Sequence, residues 1–261
     1  MRPFLFHIGS AGVPAFFFMI MIAALAATWA ALKFARREKL SEIAVLDLAI
    51  IAIIASMIGA RLFHVFMEAP DYYWEKPIRV LFFWQGGFVS LGAFIATIFS
   101  WWAYFKIKRL NAPQYFDLAA NVAPIIIFFV RLGCFLNGCC YGKPATHWPY
   151  VIFSNPASTA FAMNHGNIPL FPTQNYFMLN AIVMFFFLLL VRKYRKFYGE
   201  VGAAFLMYEG ISRFFIEFMR GDDDRGMWFG GILSTGQIVM ALFFGAGMLM
   251  WLMCRKFKVK N

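Results

Sequence analysis

The chain has 261 residues, of which 62% are hydrophobic and 14% charged, and its mean hydropathy is +0.66. Soluble domains carry about 25% charged residues, so this composition excludes an ordinary soluble enzyme and predicts a multi-pass membrane protein. The net charge of +11 is compatible with nucleic acid binding, but the placement of the basic residues along the chain argues against that class.

Seven stretches are long and apolar enough to cross a membrane, which takes roughly 20 residues of helix. They cover about 11–33, 43–68, 86–105, 115–137, 173–191, 201–220 and 230–254. The sequence therefore predicts an all-α membrane protein with seven transmembrane helices in a single domain, residues 1–261. The first span is too long for the core of a signal peptide, so we expect it to be retained.

The Lys and Arg residues indicate how these spans are oriented. Fifteen of the 24 follow spans one, three, five and seven, whereas five fall on the opposite side. Because basic residues favour the cytoplasmic side, the N-terminus is predicted outside and the C-terminus in the cytoplasm. The basic surplus is then a contact for anionic lipid headgroups, with no role in nucleic acid binding. The longest outer connection, residues 138–172, is rich in proline and aromatic residues and is predicted to be an ordered region on the outer surface.

Four arginines fall within or at the ends of the predicted spans: Arg61, Arg131, Arg213 and Arg220. A fixed cation at membrane depth costs ~2.5 kcal/mol or more on insertion scales, so such residues usually have a function. The predicted topology puts three of them in the outer half of the membrane, with Arg213 about 10 Å deeper than Arg220. Arg61 is followed by His64 and Glu68, a triplet that we interpret as structural or gating.

Arg131 ends an unbroken apolar run, 123–130, and has no acidic residue within a helical turn. Since guanidinium groups bind phosphate and carboxylate, the predicted partner is an anion, most simply a phospholipid headgroup. The alternative is a salt bridge to span six. In that span acidic and basic residues share one helical face and could neutralise each other: Glu209, Arg213, Glu217 and Arg220.

A glycine-rich turn follows Arg131 and contains Asn137, Gly138 and Gly142. Glycine permits turns and close backbone approach, so we expect a tight, polar, outward-opening pocket here, with Gln237 as a further lining residue. Cys134, Cys139 and Cys140 lie in the same stretch but form no CxxC pattern. The sequence therefore predicts no metal and no cofactor. We interpret these cysteines as small packing residues, with a redox role of the vicinal pair as the alternative.

Six short motifs follow one another along the chain: Ile58-Gly-Ala-Arg61, Trp84-Gln-Gly-Gly87 with Gly92, Arg131-x-Gly-x-Phe-x-Asn137-Gly with Gly142, Pro172-Thr-Gln-x-Tyr176, Tyr208-Glu-Gly-x-x-Arg213-Phe-x-x-Glu217-Phe-x-Arg220, and Ser234-x-Gly236-Gln237. In this order they resemble motifs of the prolipoprotein diacylglyceryl transferase family and cover most of the chain after about residue 45. The resemblance implies a multi-pass enzyme of the bacterial cytoplasmic (inner) membrane. Such an enzyme transfers a diacylglyceryl group from phosphatidylglycerol to the lipobox cysteine of a prolipoprotein, which forms a thioether and releases glycerol 1-phosphate.

The same resemblance assigns roles to the residues of these motifs. It implies that Arg131 and Arg220 bind the phosphate and stabilise the leaving group, so both are candidate catalytic residues. Asn137, Gly138 and Gly142 would shape the headgroup site. The remaining substrate-binding candidates are Arg61, Arg213, Glu217 and Gln237. The implied partners are phosphatidylglycerol, other membrane lipid and the signal peptide of the prolipoprotein with its lipobox.

The chain departs from the family pattern where a proton acceptor is expected. The family's histidine in span three corresponds to Leu91, and the glutamate after the Pro-Thr-Gln-x-Tyr motif corresponds to Phe177. Three explanations remain open. His64 could serve as the base, or the arginines alone could favour the acceptor thiolate. Otherwise the chain is a catalytically altered paralogue that binds phosphatidylglycerol or lipoprotein without turnover.

Overall fold

A computed structural model of the chain describes residues 2–8, 11–83, 86–221 and 226–256. Trp84 and Gln85 of the second motif and the basic tail beyond residue 256 lie outside the described residues. Within them the chain is mostly helical, and the strands are confined to short two-stranded hairpins. The predicted helical class is confirmed.

Seven helices of 18 residues or more occur among the described residues, one for each predicted span. Their bounds are Ala15–Arg37 (α1), Glu42–Phe63 (α2), Ser90–Lys108 (α4), Ala112–Asn137 (α5), Thr173–Tyr194 (α6), Glu200–Glu217 (α7) and Thr235–Cys254 (α8). A short helix, Pro70–Glu75 (α3), lies between α2 and α4. The first helix begins later than predicted because the residues before Ala15 form a hairpin, Phe4–Ile8 (β1) with Ala11–Pro14 (β2).

Five of these helices are long and apolar enough to cross a membrane: α1, α2 with its continuation to Glu68, α5, α6 and α8. The helix α7 is not among them, since it carries four charged residues in 18. The helix α4 is not among them either. The count of seven spans and the orientation of the termini therefore stay predictions.

The backbone divides into two compact units, residues 32–112 and residues 1–31 with 113–261. In the smaller unit α2 packs against α4. A Cβ atom at Gly92 would overlap the backbone of Gly59, so glycine permits the two helices to approach closely at this point. The indole of Trp101 adds a hydrogen bond between these helices by donating to the carbonyl of Leu48 at 2.9 Å.

In the larger unit, α5, α6 and α7 share a buried apolar cluster: Ala120, Met184, Leu188, Val201 and Ala204. The predicted outer region, residues 138–172, has a small core of its own. Val151–Ile152 (β3) pairs with Pro169–Leu170 (β4), and the side chains of Tyr141, Phe153, Ala160 and Leu170 pack together. These residues thus pack against one another, and the position of the region on the outer surface stays a prediction.

Asp117, on α5, fixes the start of α7. Its carboxylate is fully buried and accepts hydrogen bonds from the backbone N–H groups of Gly199 (2.8 Å) and Gly202 (2.9 Å). The guanidinium of Arg195 lies 3.6 Å away. A carboxylate at a helix N-terminus satisfies N–H groups that have no partner within the helix and interacts favourably with the helix dipole.

Asp117→Asn should therefore destabilise the protein. A neutral amide keeps the shape but loses the charge and turns an NH₂ group toward a backbone donor, which should lower the free energy of unfolding by about 2 kcal/mol or more. Thermal unfolding of the detergent-solubilised protein measures the loss. Asp71→Asn, at an exposed carboxylate, is the matched control and should unfold like the parent; equal stability of the two variants would contradict the anchoring role.

Candidate functional site

The Arg131 guanidinium is buried yet unpaired. The residue lies on α5 and is 8% exposed. The central carbon of the guanidinium lies 4.1 Å from the ring centroid of Phe177 on α6. This is a cation–π contact. Among the described residues, none forms a hydrogen bond or ion pair with it. A cation–π contact offsets part of the cost of burial but uses none of the five N–H donors, so these are available to an anion.

The charged face of α7 lies beside Arg131. On that helix Arg213 pairs with Glu209 at 3.8 Å and Arg220, just beyond the helix, pairs with Glu217 at 3.3 Å. The Arg213 guanidinium interacts electrostatically with Arg131 and Arg220 as well as with both glutamates. The ion pairs predicted along α7 are thus present, and Arg131 joins them. These three arginines and two glutamates leave one net positive charge.

Buried polar atoms in this region lack hydrogen-bond partners within the described part of the chain. They are Oε2 of Glu209, Nε of Arg213 and Oε1 of Gln174. An unsatisfied buried polar group costs about 1–3 kcal/mol, so a cluster of them next to an unpaired cation is typical of a site that receives a polar ligand.

The Pro172-Thr-Gln motif holds the turn that follows α5. In the first turn of α6, Thr173 donates through its hydroxyl to the carbonyl of Cys140, and Gln174 donates through its amide to the carbonyl of Cys139, both at 2.8 Å. Both residues of the motif are fully buried. They fix the backbone of the cysteine turn relative to α6, where Phe177 contacts Arg131.

Gly142 and Arg220 are brought together by backbone pairing, as an isolated antiparallel β-bridge. The N–H of Lys143 donates to the carbonyl of Met219 at 2.9 Å, and the N–H of Gly221 donates to the carbonyl of Tyr141 at 3.0 Å. On its other side, the N–H of Gly142 donates to the carbonyl of Phe171 at 3.1 Å. A Cβ atom at Gly142 would overlap Phe171, so only glycine fits there.

Asn137 and Gly138 connect α5 to the core of the outer region. The Asn137 amide donates to the hydroxyl of Thr159 at 3.1 Å. Gly138 has a φ of +75°, a left-handed conformation that favours glycine, and a Cβ atom there would lie 2.7 Å from the Cβ of Ser158. Both residues support the shape of the turn, and their predicted part in the headgroup site stays a prediction.

Arg61, in the smaller unit, is engaged differently from the predicted role in substrate binding. All five of its N–H donors are directed to backbone carbonyls. Four of the donor-to-acceptor distances are 3.3 Å or less, and the fifth hydrogen bond goes to the carbonyl of Gly86. The acceptors lie in the segment between α3 and α4: Arg79, Val80, Phe82, Gly86 and Gly87. With its donors occupied, Arg61 organises this segment, and its predicted role in substrate binding stays a prediction.

Gln237 also has a supporting position. With Ser234 it forms a capping box at the start of α8, in which its amide oxygen accepts from the backbone N–H of Ser234 at 2.9 Å. The Ser234 hydroxyl donates to the carboxylate of Glu217 at 3.5 Å. Gln237 is therefore linked to Glu217 through the cap, and its predicted place in the pocket lining stays a prediction.

The sequence interpretation missed a cluster of three thiols. The sulfur atoms of Cys134, Cys139 and Cys140 all lie within 4.8 Å of one another. Hydrogen bonds with the other two thiols, and then the positive charges of Arg131 and Arg220, lower the pKa of Cys140 below its usual range. The cluster therefore adjoins the arginine site.

An apolar groove of about 310 Å³ runs between α5 and α6. Phe128 and Ala181 contribute to its lining. They stand one helical turn from Arg131 and Phe177, at the i,i+3 and i,i+4 spacings that share a helix face. The groove is therefore formed by the same two helices that carry the contact between Arg131 and Phe177, about one helical turn farther along each.

Residues 3–253 match the family described as Prolipoprotein diacylglyceryl transferase. The chain belongs to this family. Three relatives, each named phosphatidylglycerol–prolipoprotein diacylglyceryl transferase, illustrate the similarity. The one from Clostridium tetani is 30% identical over 239 residues, which cover 92% of each chain. Those from Dehalococcoides mccartyi (31% identical, 92% of this chain and 90% of the relative) and Rhodospirillum rubrum (27% identical, 98% and 93%) are similar over comparable lengths.

Membership in the prolipoprotein diacylglyceryl transferase family confirms the resemblance of the six motifs. It assigns the chain to the transferases of lipoprotein biosynthesis, in agreement with its apolar helices. The motif that begins at Arg131 and the motif from Tyr208 to Arg220 meet at the cluster of Arg131, Arg213 and Arg220. The Pro172-Thr-Gln-x-Tyr176 motif holds the cysteine turn beside this cluster.

Proposed function

We propose that this chain transfers the diacylglyceryl group of phosphatidylglycerol to the thiol of a lipobox cysteine, the first step of bacterial lipoprotein maturation. A bond forms between the cysteine sulfur and the terminal carbon of the diacylglyceryl group. The bond from that carbon to the phosphate oxygen breaks, and its electron pair leaves with glycerol 1-phosphate. The names of the relatives support this reaction.

The observation that carries the proposal is the buried Arg131, which is stacked on Phe177 and has no ion-pair partner among the described residues. A phosphodiester has one negative charge, which balances the single net positive charge of Arg213 and the four charged groups that act on it. When the ester bond breaks, the phosphate gains further negative charge, since a phosphate monoester has a second pKa near 6. Arg131 and Arg220 would stabilise this developing charge, because preorganised donors are most effective away from bulk water.

The other candidate residues take supporting roles in the proposal. Glu217 orients Arg220, and Arg213 adds positive charge from deeper in the bundle. Asn137, Gly138 and Gly142 shape the turn around the headgroup. The apolar groove between α5 and α6 is suited to an acyl chain, since it lies one helical turn from Arg131 and is lined mainly by phenylalanine and isoleucine.

The proposal includes seven spans in the bacterial inner membrane, with the N-terminus outside and the C-terminus cytoplasmic. The helices α4 and α7 would complete the five apolar ones. The charges of α7 are compatible with a span because they pair with one another, as ionisable residues inside membranes do. The grouping of basic residues supports the orientation, and an exported lipobox would then meet the pocket from outside.

Leu91 favours a second candidate function, a paralogue that binds phosphatidylglycerol or lipoprotein without turnover. This residue takes the place of the family's histidine, and its apolar side chain accepts no proton. It is 39% exposed at the start of α4, where an apolar side chain is compatible with contact to lipid. The two functions differ in turnover alone.

A transfer assay with the purified chain separates the two. In nanodiscs that contain phosphatidylglycerol, a lipobox peptide should gain the mass of one diacylglyceryl group and glycerol phosphate should appear. A peptide with serine in place of the cysteine, and nanodiscs without phosphatidylglycerol, should give neither product. Saturable binding of the lipid with no transfer to the peptide would favour the non-catalytic paralogue and overturn the proposal.

A further inference from the structure

We propose that the thiols of Cys134, Cys139 and Cys140 bind one Zn²⁺ ion, and that its open fourth coordination position receives the acceptor thiol. The first half of the proposal rests on the geometry of this chain alone. The second half rests on the proposed transfer reaction, since it gives the metal a part in activating the lipobox cysteine.

The geometry of the three thiols suits a single small cation. Their sulfur atoms lie within 4.8 Å of one another. In a tetrahedral zinc site with bonds of about 2.3 Å, neighbouring sulfur atoms are about 3.8 Å apart, so a shift of about 1 Å at most completes the site. The thiols come from the last turn of α5 and from the adjoining turn.

Hydrogen bonds hold the turn in place, which reduces the cost of gathering three ligands. The carbonyls of Cys139 and Cys140 are held by Gln174 and Thr173. Cys140 has a φ of +57°, a left-handed conformation that costs a non-glycine residue about 1–2 kcal/mol. Such strain persists where the surroundings impose it, and it is concentrated at functional sites.

Arg131 and Arg220 lie close enough to the cluster to act electrostatically on Cys140. Zinc binds cysteine in the thiolate form. Three thiolates with Zn²⁺ carry one net negative charge, and that charge would face these two guanidinium groups. Binding would release the thiol protons to solvent.

The number of ligands points to a reactive site. Within the described ranges, no fourth histidine, cysteine, aspartate or glutamate joins the group. Structural zinc sites are closed by four protein ligands, whereas catalytic sites have three and leave a position for water or substrate. A thiol that enters this position is deprotonated by the metal, and metal coordination is one of the ways in which proteins activate a nucleophile.

A zinc ion in this site would promote deprotonation of the acceptor thiol, which the apolar side chain of Leu91 cannot do. The acceptor thiol would bind to zinc and lose its proton to solvent. Its sulfur would then attack the terminal carbon of the diacylglyceryl group while the carbon–oxygen bond to the phosphate breaks and the electron pair leaves with glycerol 1-phosphate. The oxidation state of zinc does not change. Because Cys140 lies in the field of Arg131 and Arg220, nucleophile and leaving group would be held by neighbouring groups.

The first experiment measures metal content. The full-length chain, purified without a polyhistidine tag under reducing conditions, is incubated with ZnSO₄, desalted and analysed by mass spectrometry for zinc. One zinc per chain is expected in the parent and in Cys254→Ser, which removes the remaining cysteine. The triple variant Cys134→Ser, Cys139→Ser, Cys140→Ser should bind none. Absence of zinc from the parent, or equal zinc in the triple variant, would overturn the site.

The second experiment uses Co²⁺ in place of zinc and does not depend on the folding of a variant. Cobalt bound to the parent should show sulfur-to-metal charge-transfer absorption, and a lipobox peptide should change that spectrum. A peptide with serine in place of cysteine should leave it unchanged. Equal spectra with both peptides would overturn the acceptor position. A spectral response without lipid transfer would instead contradict the proposed reaction and leave the metal site supported.

Discussion

Arg131→Ala should reduce the initial rate of diacylglyceryl transfer by roughly 10²-fold or more, which is the loss seen when one preorganised donor to a developing negative charge is removed. The guanidinium is buried, stacked on Phe177 at 4.1 Å and unpaired among the described residues, so its donors have no other evident role. The rate is measured in nanodiscs with a lipobox peptide, together with binding of phosphatidylglycerol.

Two further variants make this test specific. Arg131→Lys keeps the charge but loses the planar group that binds phosphate in a bidentate manner and stacks on an aromatic ring, so it should recover only part of the rate. Arg36→Ala removes an arginine whose side chain is 66% exposed and should transfer at the parental rate. A parental rate in Arg131→Ala, with thermal unfolding unchanged, would exclude Arg131 from the leaving-group site.

The positions of the long helices were predictable because each coincides with a stretch of about 20 mostly apolar residues. The ends of the helices were harder to predict. The sequence shows that residues 11–14 are apolar enough to extend the first span, but it does not show that they pair with Phe4–Ile8 in a hairpin. The anchoring of α7 by Asp117 was not predictable, because its partners lie more than 80 residues away in the chain.

The arginine cluster was partly predictable. The ion pairs of α7 follow from i,i+3 and i,i+4 spacing, and Arg131 was singled out because its own helix offers no acidic neighbour. The engagement of Arg61 could not be foreseen, since its acceptors are backbone carbonyls of an irregular segment that no side-chain pattern marks. The role of Gln237 in the helix cap could have been foreseen, because Ser234-x-x-Gln237 has the spacing of a capping box.

The thiol cluster was missed for a geometric reason. Cys134 lies in a helix, whereas Cys139 and Cys140 follow its end, so helical spacing does not apply across the three. The turn at Gly138 reverses the chain and returns the last two cysteines to the first. Sequence patterns for metal sites assume regular spacing within one element or loop, and this arrangement crosses from one to the other.

Gly142→Ala should lower both the stability and the transfer rate. Its Cβ atom would overlap Phe171, and the strain should cost about 1–3 kcal/mol of unfolding free energy. The same displacement would disturb the β-bridge that places Arg220 beside the turn. Because a shift of about 1 Å in a positioning contact can cost 10²-fold in rate, we expect the rate to fall by more than tenfold, while binding of phosphatidylglycerol weakens.

Gly245→Ala is the matched control, since it makes the same chemical change with the opposite expected sign. Gly245 lies within α8, and nothing stands within 4 Å of a Cβ atom placed there. Alanine in a helix interior is favoured over glycine by roughly 0.5–1 kcal/mol, so this variant should unfold at a slightly higher temperature and transfer at the parental rate. If Gly142→Ala behaved like Gly245→Ala in both measurements, the close pairing of residue 142 with Phe171 and Arg220 could not be what positions the arginine.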